Sequence, residues 1–281
     1  MRARFICGPG GLAVGRLIRK VATMRRALTV LVGVGVLLTL TASAAPAAQA
    51  VGYHNVHLRV ADPAAASEWY MKYLGATKAP PPFSVQFGKT LVAFVRTDKP
   101  LPSDGSAIDH IGISFADLKS KMREFEAGGV KIVTPMTDAP GLFPYGYIED
   151  PWGVKIEVMQ DTELLGFHHV HLRVADPAAT LQWFADLFGG KPGKLRGRLD
   201  GVRFGDVWLF ATRSTTAPEP SATRAIQNIA LEFANVDDAF KELQSRGVKT
   251  ISEPRVAGTV RYAFVEDSNG VRVELVANLR P

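Results

Sequence analysis

From residue 55 to 60 the chain alternates. Asn55, His57 and Arg59 fall on one face and Val56, Leu58 and Val60 on the other, the period-two signature of a half-buried strand. Asp62-Pro63 follows, a helix N-cap with proline at the first helical position. The predicted helix carries Trp69, Tyr70 and Leu74 and stops at Gly75. Pro80-Pro81-Pro82 makes a stiff connection to short strands around 83–87 and 91–96, with Gly88 in the turn between them. A second unit opens at Asp109-His110-Ile111-Gly112-Ile113-Ser114-Phe115. Its helix is predicted from about 117 to 127, ending at Gly128-Gly129. Strands at 130–134, 146–149 and 154–159 complete it, the last two joined by Asp150-Pro151-Trp152-Gly153.

The pattern then repeats. Val56-His57-Leu58-Arg59-Val60-Ala61-Asp62-Pro63-Ala64-Ala65 recurs letter for letter as Val170-His171-Leu172-Arg173-Val174-Ala175-Asp176-Pro177-Ala178-Ala179. The third unit copies the first, its helix running from Asp176-Pro177 to Gly189-Gly190. The fourth copies the second, from Gln227-Asn228-Ile229 through a helix ending at Arg246-Gly247. Glu149-Asp150-Pro151-Trp152-Gly153-Val154-Lys155-Ile156-Glu157 returns as Glu266-Asp267-Ser268-Asn269-Gly270-Val271-Arg272-Val273-Glu274. Each quarter is a βαβββ unit, and the fold class is α+β. The expectation is that units pair in chain order into two domains, 51–163 and 164–281, joined near 161–166. One face of such a sheet lies under its helices. The other is free to line a cavity where two units close on each other.

Charge matters mainly for the first fifty residues. The formal net charge is +6, but residues 1–50 hold seven basic residues (Arg2, Arg4, Arg16, Arg19, Lys20, Arg25, Arg26) and no acidic one. The body is nearly neutral, which gives no electrostatic case for nucleic acid or an anionic membrane. Residues 1–50 read as an export signal: Arg25-Arg26, a short apolar run over 27–40, then small residues ending in Ala48-Gln49-Ala50, an A-x-A cleavage pattern. The run is shorter than the roughly 20 residues of a membrane span, so removal is expected, leaving no membrane association. Met24, directly before the arginine pair, is a candidate true start, and a twin-arginine route or a retained anchor is the alternative to ordinary export. The single cysteine, Cys7, lies in this leader. A cysteine nucleophile, thiolate ligand or disulfide is therefore excluded from the body, and any metal there must be held by His and carboxylate.

The strand-Asp-Pro-helix opening and the Glu-Asp-Pro-x-Gly-x-x-x-Glu closing hairpin resemble the vicinal oxygen chelate superfamily. That group includes glyoxalases, fosfomycin and bleomycin resistance proteins and extradiol dioxygenases. The resemblance spans 53–277 and implies two tandem glyoxalase-like domains. It also implies ligand positions: Asn55, His110 and Glu157 in the first domain, and His169, Asn228 and Glu274 in the second. Each set has Asn in place of one His. No carboxylate lies on 91–96 or 207–212, so the fourth ligand of glyoxalase-type sites is absent.

Strand parity offers a repair. Positions i and i+2 share a face, so His57 can join His110 and Glu157, and His171 can join His169 and Glu274. Either set has the two-His-one-carboxylate composition of non-haem iron sites, or of Mn, Zn or Ni with open positions. Glu157 and Glu274 are the candidate catalytic carboxylates. Asn55, Arg59, Arg173 and Asn228 are candidate substrate contacts, with Arg59 and Arg173 sharing the inward parity of the histidines.

Bland readings stand beside these. His57 and His171 also fit polar pocket lining, the two arginines a charged cavity rim, and the two glutamates partners for Lys155 or Arg272. His54 and His168, on the opposite parity, are expected to be packing or surface residues, and Asp62 and Asp176 helix caps alone. The expected function is an exported protein using a divalent metal on a small oxygen-chelating substrate, with lyase or isomerase chemistry. Alternatives are an extradiol-type dioxygenase and a metal-free sequestering protein of the bleomycin resistance type. A homodimer fits either layout, and no phosphate loop is present.

Overall fold

The computed structural model describes residues 48–279, so the leader reading, with Cys7, Met24 and Arg25-Arg26, lies outside the described residues. The four units appear as predicted. Unit one holds β1 (Ala50–Val60), α1 (Pro63–Leu74), β2 (Thr77–Lys78), β3 (Val85–Phe87) and β4 (Thr90–Arg96). Unit two holds β5 (Ile108–Ser114), α2 (Leu118–Ala127), β6 (Lys131–Asp138), β7 (Pro144–Glu149) and β8 (Lys155–Met159). Unit three holds β9 (Gly166–Val174), α3 (Pro177–Phe188), β10 (Lys191–Leu195), β11 (Leu199–Phe204) and β12 (Val207–Arg213). Unit four holds β13 (Ile226–Phe233), α4 (Val236–Ser245), β14 (Lys249–Ala257), β15 (Val260–Glu266) and β16 (Arg272–Asn278). Among the described residues no helix is long and apolar enough to cross a membrane.

Local chemistry starts and stops the helices as the sequence indicates. Asp62 accepts from the backbone N–H of Ala64 and Ala65 and Asp176 from Ala179, each with proline at the head of its helix. Gly75 and Gly189 close α1 and α3 in the left-handed region, at φ 75° and 73°, where a Cβ would be strained.

The sheets do not pair in chain order. One runs β14-β15-β16-β13-β1-β4-β3-β2 and the other β10-β11-β12-β9-β5-β8-β7-β6. Unit one therefore shares a sheet with unit four, through antiparallel β1 and β13, and unit two with unit three, through antiparallel β5 and β9. The connections explain the exchange. The short connector 160–165 can turn β9 back only against its near neighbour β5. The longer segments 97–107 and 214–225 carry the chain from one sheet to the other. They run side by side, Ala107 N–H donating to Glu219 O at 2.8 Å and Ala225 N–H to Leu101 O at 2.6 Å.

The sequence halves hold together on the helix side instead. Tyr70 on α1 is fully buried and donates its hydroxyl to Asp150 Oδ2, 2.9 Å away in the β7–β8 turn. Asn269 in the β15–β16 turn donates to Thr180 on α3 at 3.3 Å. One continuous apolar cluster, including Val56, Ile111, Phe125, Phe184, Phe188, Phe240 and Leu275, fills the space beneath the helices.

The Tyr70–Asp150 contact is testable. Burial pushes the Asp150 carboxyl up to about 6 even though the Val154 and Trp152 amides and Tyr70 donate to it. Removing one donor leaves a buried acceptor under-satisfied, a loss of about 1–2 kcal/mol. Tyr70→Phe is expected to lower Tm by about 3–6 °C. Tyr73→Phe, whose hydroxyl meets Gly128 O at an exposed edge, should change it by much less.

Candidate metal centre

The sheet formed by units two and three gathers His110 from β5, Glu157 from β8 and His169 and His171 from β9. One ligand atom from each lies within 4.8 Å of all the others. The pairing of β5 with β9 makes this possible, setting His110 opposite His171 and Gly112 opposite His169. Gly112 is required there, because a Cβ at that position would overlap the His169 ring. In the sister sheet the corresponding pair is Asn55 opposite Ala230, a smaller side chain against a larger one.

None of the four expected sets assembles. His57 cannot join His110 and Glu157, and Glu274 cannot join His169 and His171, because these residues lie on different sheets. Asn55 is likewise on a different sheet from His110 and Glu157, and His169 from Asn228 and Glu274. The donors meet across the β5–β9 and β1–β13 seams, and not within each sequence half.

His168 corrects a second expectation. Strand alternation assigns it to the face opposite His169, yet it is fully buried and its Nδ1 lies 3.0 Å from His169 Nδ1. The register of β9 against β5 slips between Phe167 and His169, a bulge centred on His168 that breaks the period-two rule. The same slip occurs at His54 in β1, whose Nδ1 meets Asn55 Nδ2 at 2.9 Å.

Hydrogen-bond logic then assigns the protons. His169 Nε2 is buried with no hydrogen-bond partner, a costly state for a polar nitrogen unless it offers its lone pair to a cation. With the lone pair on Nε2, His169 Nδ1–H donates to His168 Nδ1, and His168 Nε2–H donates to Asp161 Oδ2 at 3.3 Å. Arg196 anchors Asp161 at 2.7 Å, and this, with the Glu163 amide and His168, holds its carboxyl below the usual range against the opposing effect of burial. His110 is oriented likewise, its Nδ1–H donating to Asp109 Oδ1 at 2.7 Å while Nε2 faces Glu157 Oε2 at 3.1 Å. Carboxylates behind ligating imidazoles fix ring orientation and raise basicity.

The electrostatics are divided: against the effect of burial, Asp109 and Glu157 hold His110 above its ordinary value, favouring a proton that a metal would displace, while the other groups suit a cation. Burial depresses His169 and His171, leaving both imidazoles neutral. Burial works against charge on Glu157, but the adjoining His110 and His169 imidazoles, with His169 Nε2 3.6 Å from Oε2, hold its carboxyl well below the ordinary value. Tyr147 donates to Glu157 Oε2 at 3.0 Å, and burial with the Glu157 charge keeps that phenol protonated far above neutrality. His171 meets Thr212 Oγ1 through Nε2 at 2.6 Å. Three imidazoles, one carboxylate and an unpartnered buried nitrogen fit a divalent metal.

The sister cluster differs. Asn55, His57, Asn228 and Glu274 meet across β1 and β13, with Asn228 Nδ2 donating to Glu274 Oε2 at 3.2 Å and His57 Nε2 at 3.5 Å from the same oxygen. Burial lifts the Glu274 carboxyl to about 8 and lowers His57 to about 4, so near neutral pH both are uncharged and their contact is not an ion pair. Arg59 gives Nη1 to the Ala222 carbonyl at 3.2 Å, while Arg173 reaches Asp109 with Nε at 3.4 Å.

Two cavities flank the metal-competent cluster. One, of about 230 Å³, is walled by Leu142, Phe143, Tyr145, Leu195, Leu199 and Phe210 and reaches Glu157, His169 and His171. The other, of about 290 Å³, is the more polar of the two, with Asp109, His110, Lys155 and Arg173 in its walls beside Val133 and Leu172. Phe210 stacks on Trp208 with ring centroids 5.4 Å apart and leans on His169 at 5.3 Å. The Asp161–His168 relay, Tyr147 and Gly112 are the members that sequence reasoning missed. Only the adjacency of His168 and His169 signalled any of them.

Paired βαβββ units, one pair carrying a His/Glu cluster that could hold a divalent metal, define the class of fold and site present here. The chain belongs to the Glyoxalase/Bleomycin resistance protein/Dioxygenase superfamily, whose profile matches residues 52–158 and again 166–275. Among solved structures it is similar to glyoxalase I from Zea mays, with 18% identity and a TM-score of 0.66, covering 81% of this chain and 92% of that one. It is similar also to a proposed dioxygenase from Bacillus subtilis, with 15% identity and a TM-score of 0.63, covering 83% and 87%. At these identities the likeness is one of fold. No curated protein sequence matches the chain.

Two outcomes follow from the two clusters. His168→Phe keeps a ring but removes the acceptor for His169 Nδ1–H. Chelator-competition titration is expected to show metal affinity falling by about 10–100-fold; unchanged affinity would refute the relay. For Glu274 the folded pKa is raised, from 4.5 to about 8, so its contribution is complete below the unfolded value and is lost as pH climbs through the folded one. Glu274→Gln should therefore melt with wild type at pH 5 and above it at pH 9, by several degrees in thermal scans.

Proposed function

We propose that this protein is an exported, glyoxalase-like metalloenzyme with one metal centre, at His110, Glu157 and His169 with His171 beside them, acting on a small substrate that presents two neighbouring oxygens. The observation that carries this reading is the buried, partnerless Nε2 of His169, set among two further imidazoles and a carboxylate within 4.8 Å. A divalent metal held there would supply Lewis acidity to the paired oxygens and would steady negative charge developing on them.

The chain's own residues supply the rest. Thr212 holds His171 by Nε2, so Nδ1 is the ring nitrogen left to take a proton from the substrate carbon beside the paired oxygens. The depressed pKa of His171 keeps it neutral and able to accept. Tyr147, a donor to Glu157, keeps its proton and steadies that carboxylate. Leu142, Phe143, Leu195 and Phe210 exclude water from the apolar side. Proton abstraction followed by return at a neighbouring atom is isomerase or lyase chemistry, the leading class.

A second reading, oxygen-dependent ring cleavage, is favoured by one observation. With His171 acting as a base, the remaining set of His110, His169 and Glu157 is the two-His-one-carboxylate composition of non-haem iron sites.

Elemental analysis of the full chain purified without chelator is the test. About one metal per chain is expected, lost in His110→Ala and in His169→Ala and retained in His57→Ala. Iron with oxygen uptake on adding catechol would favour ring cleavage, and zinc, nickel or manganese without uptake the isomerase class. Protein that stays metal-free after loading with each ion would sink the metalloenzyme reading.

A further inference from the structure

The polar cavity beside the metal centre has no part in the chemistry described so far. It shares two walls with the apolar cavity, Tyr147 and His171, so the cluster sits at the junction of an apolar and a polar chamber. The polar chamber contains two permanent cations, Lys155 and Arg173. Their present partners do not exhaust them. Lys155 Nζ lies 3.0 Å from both Asp104 and Asp109, which leaves one of its three protons. Arg173 touches Asp109 only through Nε at 3.4 Å. Among the described residues neither of its Nη groups has a hydrogen-bond partner, and the side chain is 40% exposed, open to the chamber.

The acidic groups facing the chamber do not cancel this. Asp109 is nearly buried, and both of its oxygens are engaged, Oδ1 by His110 and Lys155 and Oδ2 by Arg173. Asp104 is 63% exposed, at the rim, where water and salt screen it. A guanidinium with its planar fork free is the group best shaped for two-point recognition of a carboxylate or phosphate.

We infer that Arg173, assisted by Lys155, forms an anion subsite, and that the substrate carries an anionic group directly beside its two chelating oxygens. The inference rests on the metal-centred reading above and narrows its substrate class. The ligand is a compact molecule with an apolar, ring-sized body for the Phe143–Phe210 side, paired oxygens at the cluster, and a carboxylate or phosphate on the Arg173 side. An anion at the far end of the ring would instead enter the apolar cavity, where burying it is costly. The position of the charge is therefore recognised as well as its presence.

The test uses binding to the zinc-loaded full chain, so that no turnover intervenes, with three probes: catechol, 2,3-dihydroxybenzoate and 3,4-dihydroxybenzoate. Calorimetry is expected to give 2,3-dihydroxybenzoate an affinity at least about tenfold above catechol, a difference of about 1.4 kcal/mol, with the 3,4-isomer weaker than either. In Arg173→Leu the 2,3-dihydroxybenzoate-to-catechol ratio should fall towards one, and Arg173→Lys should keep part of it. Equal affinities in the wild type would overturn the subsite. A preference that survives Arg173→Leu would also overturn it, since it would reflect chelation by the added carboxylate. If no probe binds, the oxygen-chelating reading itself fails and the subsite falls with it.

Discussion

The antiparallel pairing of β5 with β9 is the contact on which the functional architecture depends. It sets His110 against His171 and Gly112 against His169, and β8 alongside β5 adds Glu157. Backbone hydrogen bonds of a sheet are indifferent to side-chain chemistry, so the seam forms because the short connector 160–165 leaves β9 no other edge to reach. Once formed, it places four donors within ligand distance of one another on the open face.

Two similar seams with opposite electrostatic outcomes show how little the backbone alone decides. Glu157 and Glu274 end the same hairpin motif and occupy matching places beside β5 and β13. Glu157 has His110 and His169 for neighbours and stays charged, whereas Glu274 has Asn55 and Asn228 and is held protonated to about 8. Amide dipoles do not offset the desolvation of a buried carboxylate as imidazole partners do. The repeat gives two scaffolds, and the presence of His169 and His110 in one where the other has Asn55 and Asn228 leaves the first suited to a metal and the second to a neutral hydrogen-bonded plug. The Asn55–Ala230 and His169–Gly112 pairs carry the same division in volume.

Much was legible in the residues. The exact repeat, the Asp-Pro helix starts at Asp62 and Asp176, and the glycine stops at Gly75 and Gly189 are local signals, and the structure repeats each one. The donor types were legible as well, since with no cysteine in the body only His and carboxylate remained. His168 was not legible, because alternation presumes a regular strand and a bulge shifts parity by one residue. Tyr147 had no signal, since its value lies in the distance to Glu157, a neighbour on β8.

By itself, then, the sequence determined the βαβββ units, their number, their α+β class and the inventory of possible ligands, because these follow from periodicity and capping over spans of a few residues. Only the tertiary structure decided which units share a sheet, and so which histidines meet which glutamate. Unit one pairs with unit four and unit two with unit three because connector length and edge availability act across the whole chain. Protonation was decided at the same level. A carboxylate's charge depends on what surrounds it after burial, and Glu157 and Glu274, nearly indistinguishable along the chain, become different acids in the fold.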